Sequence, residues 1–365
     1  MKVRCNRESL LNAWTVTGAV VPSKPIRPVL TNMKISAGEN GLELFATDLD
    51  VGVRFSIPDA QVEQPGEVLV PASLMRSILS DAWGEEVEIV SEKDACEVIL
   101  AESRFQLMGD SVSNYPEMPE FNTDNSFTLS KDAFKRMVEL TRFAIAREDT
   151  RYALNGIYIE LKKNTALMVA TDGRRLSRVE SKLAKSAKTP ATAIVPAIGF
   201  DGVMKSFCDD DKEVVLSLSE NMLHARTKNA IIFTKLIEGT FPNYEDVVPK
   251  NNDKNVVFNS GTFLSHLRQA AKLTSEESRS VVFSFEKDKL TLSSSNPEMG
   301  EATINMAVKY DGDQFEIRFN PAYLVDVLRA LPDGEVSFEF SESTRPGIIT
   351  TGKEFIYVVM PVNTN

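Results

Sequence analysis

The chain has 365 residues, 42% of them hydrophobic and 25% charged, proportions ordinary for a folded globular protein. Its 41 Lys and Arg stand against 52 Asp and Glu, and the net charge of −11 excludes wrapping of nucleic acid by the whole surface while leaving room for a local basic face. Cys5, Cys96 and Cys208 are far apart and never in a CxxC pair, and neither a signal peptide nor ~18 consecutive apolar residues occurs, so a cytoplasmic protein with free thiols is expected.

Two markers keep one period along the chain. Thr47-Asp48 returns 124 residues later as Thr171-Asp172, and 124 further on as the weaker Ser295-Asn296. Val70-Pro71-Ala72, Val195-Pro196-Ala197 and Asn320-Pro321-Ala322 repeat every 125. The period predicts three similar domains over residues 1–122, 126–251 and 254–365, with polar boundaries near Asn122–Asn125 and Asn251–Lys254.

Taken in order, the first repeat predicts a helix near Glu8–Gly18, a strand pair ending at Thr47-Asp48 and a helix over Ala72–Ser80. Alternating strands such as Val87–Val90 follow, and Arg104–Leu107 closes the repeat. In the second repeat Ser130 caps a helix expected to reach Ala146, and another runs over Ala197–Phe207. Its later strands are Val214–Leu218 and Ala230–Leu236. In the third, Ser260 or Thr262 is the expected cap of a helix reaching Leu273, and Ala322–Leu331 forms the next. Strands Phe315–Phe319 and Phe355–Pro361 complete it. The prolines of the second marker suit a first helical turn. Two helices cannot cover both faces of so much sheet, so each repeat is expected to be an α+β unit with its helices on one side.

At 100° per residue, Lys131, Lys135 and Arg142 fall within about 40° of one another. Phe134, Met137, Thr141, Ala144 and Ile145 cover another flank, between about 220° and 320°. Arg268 and Lys272 form a smaller basic pair with His266 nearby, and Arg76, Lys205 and Arg329 sit on the second helix of each repeat. One such helix reads as a solvated face. Recurrence in an acidic protein points to a positive, helix-lined surface.

Catalytic chemistry finds no foothold. His224 and His266 lie in different repeats without ligand spacing, and no GxxxxGK[ST], GxGxxG or GxSxG occurs. Asp48 and Asp172 occupy equivalent places in two repeats and read as turn formers. Gly173-Arg174-Arg175-Leu176 and Arg151-Tyr152-Ala153-Leu154 belong to the second repeat alone, which makes them the better functional candidates.

These residues in this order resemble the bacterial DNA polymerase III β subunit family, the sliding clamps. The resemblance rests on Ala46–Leu49, Arg151–Gly156, Ala170–Leu176, Phe241–Tyr244, Asn320–Tyr323 and Tyr357–Pro361, and covers nearly the whole chain. It implies a DNA clamp fold of three repeated domains, each with two helices and antiparallel sheets, closing head to tail with a second copy into a homodimeric ring. The implied function is to encircle duplex DNA without sequence preference and hold the replicative polymerase for processive synthesis, with no catalysis, metal or cofactor.

The resemblance also implies a pocket for short linear motifs from the polymerase III α subunit, the clamp loader, other polymerases and repair proteins. Its lining would be Leu154, Thr171, Gly173, Arg174, Arg175, Leu176, Pro242, Val247, Tyr323, Val358 and Met360, an apolar cleft with a polar rim. Arg174, Asp246 and the tail Pro361–Asn365 depart from the family's commonest pattern. DNA-facing residues would be Lys24, Arg27, Arg76, Lys131, Lys135, Arg142, Arg151, Tyr152, Lys205 and Arg268. The dimer interface would set Ile78, Arg104, Phe105 and Leu107 against Lys272, Leu273, Glu298 and Glu301. The rival reading is a monomeric peptide-binding adaptor on the same fold, and an enzyme using Asp48 and Asp172 is third.

Overall fold

The computed structural model describes residues 1–121, 123, 125–147, 152–275 and 279–362, Tyr152 by its backbone alone. Among them are six α-helices: α1 (Arg7–Thr17), α2 (Ala72–Asp81), α3 (Lys131–Arg142), α4 (Ala197–Ser206), α5 (Ser260–Ala270) and α6 (Pro321–Ala330). Asn122 and Asp124, part of a predicted boundary, and the tail residues Asn363–Asn365 lie outside the described residues.

Compactness does not follow the sequence period. One compact unit comprises Met1–Phe134, Lys162–Asn164 and Leu183–Ile237, and the other comprises Lys135–Leu161, Thr165–Lys182 and Glu238–Asn365. Strand pairing explains the division. In the first unit Ala230–Lys235 of the second repeat runs antiparallel to Val51–Ile57 of the first, placing Phe233 opposite Gly52. One sheet then continues in the order Ser126–Ser130, Glu213–Leu218, Met222–Arg226, Ala230–Lys235, Val51–Ile57, Gly41–Thr47, Asn32–Gly38, Gly66–Pro71. In the second unit Arg175–Lys182 runs antiparallel to Phe355–Val359, with Leu176 opposite Val358. Within this unit the strand order is Gly156–Leu161, Thr165–Thr171, Arg175–Lys182, Phe355–Val359, Gly347–Thr351, Glu335–Phe340, Lys254–Asn259.

Each unit also holds a smaller sheet with an open edge. The first has Gln61–Gln64, Lys2–Asn6, Glu86–Glu92, Ala95–Leu100 and Ser103–Met108, with Ser103–Met108 at one edge. The second has Gly300–Ala307, Lys289–Asn296, Val281–Glu286 and Phe315–Phe319, with Gly300–Ala307 at one edge.

Alternation fixes the faces of the first unit's long sheet. Helix α4 lies on the face carrying Ile232 and Val53, where a Cβ added to Gly202 would sit 3.5 Å and 3.8 Å from their side chains. The opposite face carries Phe45 and Phe233, which join Val29, Leu30, Leu69 and Tyr115 in a second apolar cluster. Tyr115 meets Phe45 edge-on at 5.8 Å and donates its hydroxyl hydrogen to the Asn32 carbonyl. At this end, irregular segments rather than helices close that face.

Three helix expectations need correction. Helix α3 stops at Arg142 rather than Ala146, because remote side chains take the carbonyls the next turn needs: Ser177 Oγ donates to Leu140 O and Arg175 Nη2 to Phe143 O. The cap of α5 is Asn259, whose Oδ1 accepts from Thr262 N at 2.9 Å, and α5 ends at Ala270 before a 3-10 turn over Ala271–Leu273. Pro71 and Pro196 end strands as capping residues, and only Pro321 enters a first turn. Ser130 does cap α3, its Oγ accepting from Ala133 N.

His224 is 4% exposed on Met222–Arg226, opposite Ser217 and Phe233, and Phe121 lies 5.8 Å from its ring. Burial holds its imidazole pKa below the ordinary value. The unfolded chain therefore binds a proton near pH 6.5 that the native chain refuses until lower pH. The associated stability is complete above that pH and falls as pH drops towards the folded value, by up to about 1.4 kcal/mol per unit. Urea unfolding of the His224→Gln variant is expected to show a shallower loss between pH 6.5 and 5 than the wild type.

Candidate functional site

The Thr-Asp marker builds the same turn twice. Thr47 Oγ1 donates to Val51 O and accepts from Leu49 N, while Asp48 Oδ1 accepts from Asp50 N and Val51 N. Thr171 Oγ1 donates to Arg175 O at 2.6 Å and accepts from Gly173 N, while Asp172 Oδ1 accepts from Arg174 N and Arg175 N. The third position of each turn is left-handed, with φ of 82° at Leu49 and 85° at Gly173. Asn296 keeps one of these bonds, accepting from Glu298 N. One carboxylate oxygen of each of Asp48 and Asp172 is thus committed to the backbone, as expected of turn formers.

The second repeat adds a guanidinium to this turn. Arg175 is 7% exposed; its Nε donates to Asp172 Oδ2 at 3.0 Å, Nη1 to Asp326 Oδ2 at 2.7 Å and Nη2 to Phe143 O at 2.6 Å. Its plane lies over the Tyr323 ring, 4.7 Å from the centroid. Burial opposes the charge, yet Tyr357, Asp326 and Asp172 outweigh it and hold the Arg175 pKa above its ordinary value. Burial also pushes the Tyr357 phenol up, so it stays neutral and donates to Tyr323 O at 2.8 Å. The two aspartates are therefore the lasting counter-charges.

Around this knot lies a cavity of about 630 Å³ lined by Ile145, Arg147, Gly173, Arg174, Tyr323 and Asp326 among others. Of the eleven expected pocket residues it takes in Gly173, Arg174, Arg175 and Tyr323. Arg147, Arg279, Asp172 and Asp326 add charge to the wall of this cavity. Leu176 and Val358 pair across adjacent strands beneath it, both buried, and Met360 N donates to Arg174 O at 2.9 Å. Thr171 and Leu154 are buried as well, Leu154 O accepting from Ala146 N. Val247, 50% exposed, and Met360, 41% exposed, give apolar surface outside that lining, and Pro242 is exposed. Asp246 is engaged by Asn243 Nδ2 at 2.8 Å.

Asp326, Arg147 and Arg279 were missed from sequence. Asp326 had a signal: it stands three residues after Tyr323 on α6, hence on the same helix face. Arg147 and Arg279 had none, each standing beside the cavity only through the path of the folded chain.

The basic helix residues divide. Arg76, Arg142, Lys205 and Arg268 are exposed, Lys135 is half-buried, and Lys24 is exposed in the segment before Pro28–Thr31. Lys131 is partly committed, donating to Cys208 O, and Arg27 donates to Asn114 O at 2.7 Å. Arg151 and the Tyr152 side chain lie outside the described residues. On the edge strand Ser103–Met108, Phe105 and Arg104 are exposed, Arg104 meeting Glu97 at 3.3 Å, while Leu107 and Ile78 are core. Lys272, Glu298 and Glu301 are exposed and Leu273 half-buried. No group of three or more His, Cys, Asp or Glu placed to hold a metal occurs among the described residues, nor any helix long and apolar enough to cross a membrane.

Models of three domains of the DNA polymerase III beta subunit match the chain in order: N-terminal over residues 1–119, central over 128–243 and C-terminal over 245–363. A beta sliding clamp of Chlamydia pneumoniae is 30% identical over 363 residues, 99% of each chain. That of Escherichia coli K12 is 30% identical over 365 residues, 99% of this chain and 100% of its own. Among solved structures, a DNA polymerase III subunit beta from Pseudomonas aeruginosa, bound to griselimycin, superposes with a TM-score of 0.94 at 29% identity over 100% of both chains.

Proposed function

Because the chain belongs to the DNA polymerase III beta subunit family, the beta sliding clamps, we propose that its surfaces divide into a DNA-facing set, a self-association set and a peptide pocket. The protein is a processivity clamp for DNA polymerase III and not a catalytic subunit. The observation that carries this reading is the match along 99% of the chain at 30% identity. Its three domains are taken as residues 1–122, 126–251 and 254–365, a reading supported by the order and spacing of the family matches.

As a member of that family its partners are DNA, a polymerase and a second copy of itself. Two copies close head to tail, Arg104 and Phe105 of one meeting Lys272, Leu273, Glu298 and Glu301 of the other. Both edge strands in question, Ser103–Met108 and Gly300–Ala307, offer backbone groups free to continue a ladder. Exposed Arg76, Arg142, Lys205 and Arg268, with Lys24 and Lys135, supply weak phosphate attraction without base readout, as sliding requires. The Thr171–Leu176 turn with Tyr323, Val247 and Met360 receives short linear motifs of the polymerase α subunit, the clamp loader, other polymerases and repair proteins. A cytoplasmic setting agrees with three free cysteines.

Encirclement has a topological signature. Loaded on nicked circular plasmid, the protein is expected to co-elute with DNA through gel filtration and to be lost when one cut linearises the circle. Equal retention on both forms would mean ordinary surface binding and would favour the adaptor reading. Leu273→Asp is expected to raise the dimer dissociation constant at least 100-fold, since an ionised group would be desolvated at a contact. Light scattering across micromolar to nanomolar protein reads that shift.

A further inference from the structure

Trp83 is 87% exposed in the turn after α2, the most exposed large apolar side chain among the described residues. It rims a cavity of about 500 Å³ that also takes in Ile78, Leu100 and Phe105, with Asp81 and Glu102 at its margin. Phe105 stands on the open edge strand Ser103–Met108, whose Met108 is also exposed. An indole held in water beside an apolar hollow and an open strand edge marks a contact surface.

A matching surface lies on the other unit. The outer face of α5 carries a groove of about 330 Å³ lined by Gly261, Leu264, Ser265, Arg268, Gln269 and Lys272. Leu264 supplies an apolar wall, and Lys272 supplies a cation for an aromatic face. Helix α5 packs against the second open edge strand, Gly300–Ala307. Each surface thus pairs an open edge with an adjoining feature, indole on one and groove on the other. Their charges are complementary, Asp81 and Glu102 against Lys272.

We infer that Trp83 anchors the contact between two copies of this chain, its indole seated in the α5 groove of the second copy against Lys272. The inference rests on the homodimer reading and goes beyond it by naming the residue that dominates affinity. Arg268 contributes its aliphatic stem to the groove and leaves its guanidinium outward.

The chain has two tryptophans, and Trp14 is buried with its Nε1 donating to Ala72 O at 2.8 Å, so an aqueous quencher reads Trp83. Acrylamide quenching is measured with light scattering on the same full-length samples across a dilution series. The expected result is a dimer in which the quenchable emission is shielded, becoming accessible as the mass halves. Trp83→Ala should raise the dissociation constant about 30-fold, Trp83→Phe distinctly less, and Lys272→Ala should couple to Trp83→Ala in a double-mutant cycle. Thermal midpoints of dilute variants should match the wild type, since the side chain is exposed. A dimer whose Trp83 stays fully quenchable, or a Trp83→Ala dimer of unchanged affinity, overturns the inference and leaves the homodimer reading standing. A monomer at every concentration overturns both.

Discussion

Arg175→Met is expected to cost about 3–5 kcal/mol of stability, because it strips the partner from two carboxylates and a carbonyl at once. The guanidinium satisfies Asp172, Asp326 and Phe143 O together and covers the ring of Tyr323. Its removal leaves like charges from the turn and from α6 facing one cavity with nothing between them. Asp326 is one-third exposed and can regain water, which sets the value towards the lower end. The variant is further expected to lose capture of a clamp-binding peptide by more than tenfold, since Gly173, Arg174 and Tyr323 are held by the same knot. Arg175→Lys keeps the charge without the planar fork, so it should fall between the two. Denaturant unfolding followed by two probes is the appropriate measurement, because two compact units need not melt together. A methionine variant as stable as the wild type would show that desolvation of the ion cluster cancels its attraction.

Gly52→Ala should be nearly as damaging in the first unit. A Cβ at residue 52 would sit 2.2 Å from Cε1 of Phe233, and the Phe233 ring is enclosed by Val29, Leu30, Phe45, Leu69 and Tyr115. The ring cannot swing aside without opening that cluster. Overpacking of this kind costs about 1–3 kcal/mol and occasionally more, and here the strain falls on the strand pair joining the first two repeats. The double variant with Phe233→Leu should recover part of the loss, because it shortens the side chain that clashes. An alanine variant with an unchanged unfolding midpoint would mean that the seam tolerates a shift the packing argues against.

The repeat period was legible because one hydrogen-bonding solution, Thr and Asp closing a turn, was written twice in nearly the same letters. The turn's left-handed position was legible only once: Gly173 announces it, whereas Leu49 adopts the same φ without any sequence sign. Local patterns placed all six helices, yet missed where α3 ends, because Ser177 and Arg175 lie far along the chain from the carbonyls they take. The compact units were illegible for a related reason. Period reports duplication of sequence, while compactness here is decided by Phe233 meeting Gly52 and Leu176 meeting Val358. The pocket was half legible. Its turn stood out as peculiar to one repeat, but Arg147, Arg279 and Asp326 reach the cavity from three separate places and add charge to its wall.

The strand pairing that splits the middle repeat has a consequence for how the protein is made. During synthesis on the ribosome, the sheet containing Val51–Ile57 lacks its neighbour until Ala230–Lys235 has emerged. Arg175–Lys182 waits about as long for its own partner, Phe355–Val359. An edge left open for that long is a template for pairing with other nascent chains. Premature termination after the second repeat would leave that edge permanently bare, so truncated products should aggregate rather than persist as two-thirds of a protein.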